Sequence, residues 1–152
     1  MRWGLLCVGR LRAPGLAEAI GPYLTRLAGS APLEVVEVRA GAAHGCGAME
    51  AEGERLLARV GARDRLVALD VGGRRDDTEG LARRLASWRA SVAGRLWLAI
   101  GGADGLAEAV VARADERLSL SPLTLPHELA RLVVVEQLYR CHCLLTGHPY
   151  HH

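Results

Sequence analysis

Residues 95–105 read RLWLAIGGADG, an apolar run followed directly by three glycines within five residues. The run predicts a buried strand that ends at Ile100, and the apolar spacing of residues 106–116 predicts a helix after it. Ligands of open parallel sheets bind beyond the carboxyl ends of the strands, where glycine lets the backbone approach closely. The turn Gly101–Gly105 is therefore a candidate binding turn, although a tight turn without a ligand explains the spacing at least as well.

The glycine turn matches neither of the two common phosphate-binding motifs. Its letters do not fit GxGxxG, the fingerprint of dinucleotide-binding domains. The GxxxxGK[ST] motif needs a lysine, and all 19 basic residues of this chain are arginine. The sequence therefore excludes a nucleotide-binding P-loop.

Strand-like and helix-like segments alternate along the whole chain. Strands are predicted at Trp3–Val8, Leu33–Val38, Leu66–Val71, Arg95–Ile100 and Leu118–Leu120. Helices are predicted at Leu16–Leu27, Ala48–Val60, residues 79–91 after a Thr78 cap, Leu106–Glu116 and Pro126 to about Leu145, with Gly147 ending the last. This order predicts an α/β fold, a parallel-rich sheet with helices on both faces. The 152 residues contain no linker, so we expect one domain over residues 1–152.

The composition fits a compact cytoplasmic protein. Half of the residues are hydrophobic, and the formal net charge of +2 gives little support for a polyanionic partner. The four cysteines follow no secretory signal, so reduced thiols are expected. No apolar stretch is long enough to cross a bilayer, and we therefore predict no membrane association.

The last predicted helix has apolar side chains on more than one face, and these faces must be buried. Leu132–Val135 is apolar all round, and a single small domain has little left to cover both faces. A homodimer built on this helix is the simplest answer. Glu136 and Arg140 are four residues apart on this helix. They form either an ordinary ion pair on the helix surface or a buried charged pair that has a functional role.

The C-terminal stretch YRCHCLLTGHPYHH, residues 139–152, is rich in possible metal ligands. These residues are Cys141, His142, Cys143, His148, His151 and His152. Cys141 and Cys143 diverge by about 200° on a helix, and no CxxC or HxxxH pair is present. We therefore predict helix packing and no metal site.

The segment LSLSPLTLPH, residues 118–127, has two interpretations. Ser119, Ser121 and Thr124 alternate with leucines before Pro126, which fits a strand followed by a capped helix. The same leucines could instead form an apolar pocket wall against a flat base. The residues alone favour the strand and helix.

Four segments together resemble a known family. These are LDVGG at 69–73, LAIGGADG at 98–105, LSLSPLTLPHELARLVVVEQLYR at 118–140 and GHPYHH at 147–152. They are similar to the small bacterial 23S rRNA (pseudouridine-N3)-methyltransferases of the SPOUT superfamily, and the similarity begins at the Trp3 strand. It implies a trefoil knot in the C-terminal half, an S-adenosyl-L-methionine cofactor and a homodimer. The implied reaction is methylation of N3 of a pseudouridine in helix 69 of 23S rRNA, on the assembled ribosome.

The resemblance also implies which residues act. The implied cofactor-binding residues are Leu69, Gly101, Leu120, Ser121, Pro122, Leu123, Thr124 and Leu125. Arg140, Tyr150 and His151 match the family's YR and HPYH segments and would be catalytic, with His151 or His148 as the proton acceptor. Two departures matter: the loop at 40–47 lacks the basic residues of relatives, and Pro122 removes an N–H from the adenine loop. A SPOUT methyltransferase acting on tRNA and a non-catalytic ribosome-assembly protein are the alternatives.

Overall fold

A computed structural model describes residues 2–150 of the chain as one five-stranded sheet with five helices. The strands are β1 (Trp3–Val8), β2 (Leu33–Val38), β3 (Arg65–Arg75), β4 (Leu96–Ile100) and β5 (Glu116–Ser119). The helices are α1 (Leu16–Ala28), α2 (Cys46–Leu57), α3 (Thr78–Ser91), α4 (Glu108–Arg113) and α5 (His127–Thr146). The strand order is β2-β1-β4-β3-β5, and every neighbouring pair is parallel. The predicted single α/β unit with a parallel sheet is confirmed.

Helices cover both faces of the sheet, as predicted. Leu5 and Cys7 of β1 point into a core shared with α1, α3 and α5. Leu6 and Val8 point the other way, into a smaller core with α2 and α4. Both faces of β1 are therefore buried, which explains its continuous apolar sequence.

Strand β3 runs four residues further than predicted, to Arg75. Leu69 and Arg74 both stand opposite Leu118 of β5, so the intervening residues form a bulge. A Cβ on Gly73 would lie 2.7 Å from backbone atoms of Leu118, which only glycine avoids. The segment LDVGG, residues 69–73, therefore contains a bulge, after which the strand continues. A pattern of apolar residues does not indicate such a bulge.

Three other boundaries differ from the sequence prediction or refine it. Asp77, and not Thr78, caps α3, because its Oδ1 accepts a hydrogen bond from the Gly80 N–H at 2.7 Å. Helix α4 is six residues long, Glu108–Arg113, and is therefore shorter at both ends than the predicted helix Leu106–Glu116. Gly147 ends α5 with a φ of 71°, which confirms its predicted role.

Helix α5 packs between α1 and α3 and keeps a partly open outer stripe. Val134, Val135 and Leu138 are buried against the sheet and these helices. The outer stripe consists of Leu129, Leu132, Val133, Glu136 and Arg140, which are only partly buried. Over residues 2–150, no helix combines the length and the apolar character needed to cross a membrane.

Candidate functional site

A cavity of about 630 Å³ opens at the carboxyl ends of β3, β4 and β5. Its wall comes from the β3 bulge at 69–71, the glycine turn at 100–106, the loop at 120–125 and the first turn of α5. Parallel strands place their carboxyl ends at one edge, which is where ligands of open α/β sheets bind. The structure thus brings the two segments singled out in the sequence to one cavity.

Close packing within the turn explains its glycines. A Cβ on Gly101 would lie 2.3 Å from the carbonyl carbon of Gly105, and Gly101 is itself buried. Gly105 has a φ of 90° and donates its N–H to the Gly102 carbonyl oxygen at 3.1 Å. The turn folds onto itself and leaves backbone, rather than side chains, at the cavity.

The loop after β5 is fixed by its serines. Ser119 Oγ donates to the Ser121 carbonyl oxygen at 3.0 Å, and the Leu123 N–H donates to Ser121 Oγ at 2.9 Å. Leu123 is 73% exposed at the cavity rim, and Val71 of the β3 bulge is 56% exposed there. Two uncovered apolar side chains at one opening form a surface suited to a flat apolar group.

The β3 bulge brings one carboxylate to the cavity. Asp70 lines the wall, and Arg117 of β5 donates to its Oδ2 from Nε at 2.9 Å and also from a terminal nitrogen. The ion pair ties the bulge to β5. Asp70 is therefore a fixed negative group beside apolar walls.

Most of the predicted cofactor residues line this cavity. Those that do are Leu69, Gly101, Leu120, Ser121, Leu123, Thr124 and Leu125. Pro122 is exposed in the same loop and lies outside the wall, which differs from the prediction. Asp70, Val71, His127 and Ala130 also line the wall and were not predicted from the sequence. Asp70 and Val71 lie in the β3 bulge, which the apolar pattern of the strand does not indicate.

Arg140 and Tyr150 form a second cluster at the other end of α5. The Arg140 guanidinium carbon lies 4.8 Å from the Tyr150 ring centroid. Glu136 Oε1 accepts from Arg140 Nε at 3.0 Å and from the Tyr150 hydroxyl at 3.2 Å. The Tyr150 hydroxyl also lies 3.4 Å from that of Tyr23. His151, the third predicted catalytic residue, lies outside the described residues.

The charge states within this second cluster are set by its contacts. The hydrogen bond to Tyr23, burial and the Glu136 carboxylate raise the pKa of Tyr150, so its phenol keeps its proton at neutral pH. The hydrogen bonds to Glu136 likewise raise the pKa of Arg140. The pair therefore presents hydrogen-bond donors and a fixed positive charge, and it offers no base.

The cavity and the second cluster are far apart within one subunit. Arg140 follows His127, a cavity residue, by 13 residues on the same helix. At 1.5 Å per residue this is about 20 Å. Within residues 2–150, one chain therefore does not bring the predicted cofactor residues together with Arg140 and Tyr150.

The cysteines and histidine at the end of α5 are packed into the protein. Cys141 Sγ contacts the Thr78 carbonyl oxygen at 3.7 Å, and burial raises the pKa of this thiol to about 12. His142 Nε2 lies 2.9 Å from Ser30 Oγ. Among residues 2–150, no group of three potential ligands is arranged to hold a metal.

The whole chain is similar to known proteins. A family described as "Predicted SPOUT methyltransferase" matches residues 1–151. A protein of Gemmatimonas aurantiaca named "Ribosomal RNA large subunit methyltransferase H" is 47% identical over 154 residues, covering 99% of each chain. Proteins with the same name from Anaeromyxobacter sp. and Pseudomonas paraeruginosa are 45% and 44% identical, again over 99% of each chain.

Proposed function

The chain belongs to the SPOUT methyltransferase family, whose members use S-adenosylmethionine, and we propose from this that it methylates large-subunit ribosomal RNA. The observation that carries the proposal is the cavity between the glycine turn and the loop Leu120–Leu125, in a chain similar over its full length to proteins of that name. We further propose that the methylated atom is N3 of a pseudouridine in helix 69 of 23S rRNA, on the assembled ribosome.

The cavity fits the cofactor in size and in chemistry. Ligand pockets typically measure about 300–1,000 Å³, are mostly apolar and offer a few fixed polar groups. Leu69, Leu120 and Leu123 would hold the adenine ring, and the backbone at Gly101 would approach it closely. Asp70 would stabilise the cationic end of the molecule. When bound, S-adenosylmethionine would supply an electrophilic methyl group, with S-adenosylhomocysteine as the leaving group.

The second cluster can stabilise the negative charge that develops on the RNA base during methyl transfer. The N3 imide of a pseudouridine must lose its proton as the methyl group is transferred, and negative charge develops on the ring. The Arg140 guanidinium can stabilise this charge through the N–H groups that Glu136 leaves free, and Tyr150, whose hydroxyl donates to Glu136, helps to hold that guanidinium in place. His151 or His148 is the proposed proton acceptor, because a neutral imidazole nitrogen can take up the proton of the imide.

We propose a homodimer because a second subunit can join the two clusters. In a two-fold dimer with antiparallel α5 helices, Arg140 of one subunit lies beside His127 of the other if the axis passes midway, near Val133. Val133 stands on the outer stripe of α5, which is only partly buried in one chain. Each composite site would then contain the cavity of one subunit and the tail of the other.

Family membership also underlies two further proposals. A deep trefoil knot is expected in the C-terminal half, where β3, β4 and β5 lie side by side and α5 packs back on α1 and α3. A cytoplasmic location is expected because the proposed substrate is the bacterial ribosome.

The test of substrate uses labelled cofactor and mapped RNA. The protein is incubated with methyl-labelled S-adenosylmethionine and ribosomes that lack the modification, and methylated nucleotides are located by mass spectrometry. We expect one label, at N3 of a pseudouridine in helix 69, and more on 70S ribosomes than on free 23S rRNA. Label on tRNA would show a different SPOUT activity. Unlabelled RNA together with no cofactor binding would indicate an assembly protein.

The test of the composite site uses two inactive variants. Gly101→Trp disrupts the glycine turn and with it the cavity of one chain, because its Cβ would collide with the Gly105 backbone, and Arg140→Ala removes the guanidinium of the other. Neither homodimer should methylate ribosomes. A heterodimer, made by co-expression with two different affinity tags, contains one intact composite site and should recover about half of the wild-type activity. Failure to recover any activity in a folded, dimeric heterodimer would place both clusters within a single subunit's site.

A further inference from the structure

The carboxyl edge of the sheet also carries a loop that the cofactor cavity does not use. Residues 9–15, GRLRAPG, connect β1 to α1 and lie at the same edge as the glycine turn, since β1 pairs directly with β4. Gly9 has a φ of 77°, which turns the chain sharply after the strand. Arg10 and Arg12 of this loop are both exposed.

The loop backbone is held by α5. Arg131 donates to the Gly9 carbonyl oxygen at 3.0 Å, while it also pairs with Glu37 Oε1 at 2.6 Å. Glu128 Oε1 accepts from the backbone N–H groups of Arg12 and Ala13, the latter at 3.2 Å. Only 2% of Arg131 is exposed, so this anchor is fixed in the core. The α5 side chains thus bind the backbone of the loop and leave its two arginine side chains free.

The same turns of α5 support the cavity. His127 and Ala130 line it, and the neighbouring residues Glu128 and Arg131 hold the loop. The loop therefore stands beside the cofactor cavity at a position set by the helix that forms part of the cavity wall.

Many arginines of the chain form ion pairs with carboxylates, whereas the two arginines of this loop form none within residues 2–150. In the described part of the chain, nine arginines form ion pairs with carboxylates: Arg65, Arg74, Arg83, Arg84, Arg95, Arg113, Arg117, Arg131 and Arg140. Within residues 2–150, neither Arg10 nor Arg12 has a carboxylate in ion-pair contact. Arg39, which directly follows β2 at the same edge, is likewise exposed without such a contact. Positive charge near the cavity is therefore available for a partner.

We propose that Arg10 and Arg12 bind phosphate groups of the RNA strand next to the target nucleotide. The proposal rests on the proposed function, and it names the surface that would hold the substrate. A guanidinium binds phosphate through two parallel hydrogen bonds, and a loop that is already fixed loses little freedom on binding. The loop at 40–47 has no arginine or lysine to contribute such a contact, and the N–H groups of Gly41 and Gly45 tie it to Glu52 and Asp104.

The test compares two pairs of arginines. The double variant Arg10→Ala/Arg12→Ala should raise the ribosome concentration for half-maximal methylation at least tenfold and leave the cofactor Kd unchanged. It should also reduce the salt slope of ribosome binding by about two, one for each lost phosphate contact. The matched control Arg59→Ala/Arg63→Ala removes two exposed arginines at the opposite edge and should change neither quantity.

A charge-conserving variant and a direct binding measurement complete the design. Arg10→Lys/Arg12→Lys should restore most of the salt slope, because lysine keeps the charge. Unchanged ribosome dependence in the alanine double variant would overturn the proposal, and so would an equal loss of cofactor affinity, which would indicate a structural role. Ribosome binding is also measured by co-sedimentation, without methylation. If wild-type protein sediments with ribosomes but methylates nothing, the proposed function fails while the phosphate contacts are still tested.

Discussion

Adding a single methyl group at the glycine turn should impair the cofactor cavity while the rest of the fold stays intact. In Gly101→Ala the added Cβ would stand 2.3 Å from the Gly105 carbonyl carbon and 2.4 Å from its oxygen. Carbon atoms in contact normally lie about 3.5–4.0 Å apart. The turn must therefore move by more than about 1 Å, and both sides of this contact are backbone that a side-chain rotation cannot relieve.

The magnitude follows from the cost of overpacking, about 1–3 kcal/mol. If the turn stays in place, this cost appears as a lower free energy of unfolding, and Tm falls by about 2–4 °C for each kcal/mol in a chain of this size. If the turn moves outward in the free protein, the cost appears when the cofactor binds. The Kd for S-adenosylmethionine then rises between about fivefold and 150-fold.

Calorimetric titration with S-adenosylmethionine and thermal unfolding measure the two contributions. Gly21→Ala is the matched control, since no atom lies within 4 Å of its added Cβ and alanine favours the α1 helix by about 1 kcal/mol. The control should bind cofactor normally and unfold no earlier than the wild type. If Gly101→Ala keeps both the wild-type Kd and the wild-type Tm, the reasoning about this turn is refuted.

Three further predictions address the rim, the tail and the core. Leu123→Ala should raise the cofactor Kd about tenfold, because covering a leucine is worth about 1.5 kcal/mol, while Tm hardly changes at this 73% exposed position. Leu145→Ala, at the far end of α5, is its control, and equal Kd values for the two variants would contradict the prediction. Tyr150→Phe should lower kcat about threefold to tenfold through the lost hydrogen bond to Glu136, with the cofactor Kd unchanged in calorimetry; an unchanged kcat would remove Tyr150 from the reaction. Burial lowers the pKa of His142 below its ordinary value of 6.5, so its contribution to stability is present above pH 6.5 and is lost as the pH falls through the lowered pKa. His142→Gln should flatten this acid limb in denaturant titrations at several pH values, and an unchanged limb would show that other groups produce it.

Much of the fold could be predicted because its central strands β1 and β4 are buried on both faces and therefore read as apolar runs. The apolar run Trp3–Val8 and the roughly alternating segment Leu33–Val38 are strands at the predicted bounds, and each is followed by a helix. The bulge in β3 could not be predicted, because it depends on how Arg74 pairs with Leu118 in a strand more than forty residues away. The cap of α3 was misplaced by one residue because Asp77 and Thr78 are both good capping residues.

The candidate site could be predicted in its parts but not in its arrangement. The glycine turn and the leucine-rich loop are recognisable in the sequence, and the structure places them at one cavity. That Arg140 lies far along α5 from the cavity follows from the predicted helix over 126–145, which the structure confirms as His127–Thr146. Arg131 was overlooked because it stands next to the apolar segment Leu132–Val135, and nothing local indicates that it reaches Gly9.

A crystal structure of the protein with bound S-adenosylhomocysteine would show whether the two segments and a second subunit form one cofactor site. We expect the adenine ring between the glycine turn at Gly101 and the loop Leu120–Leu125, with the tail of a second subunit over the opening. Adenosine density at any other place, or a cavity closed by its own subunit's tail, would contradict it.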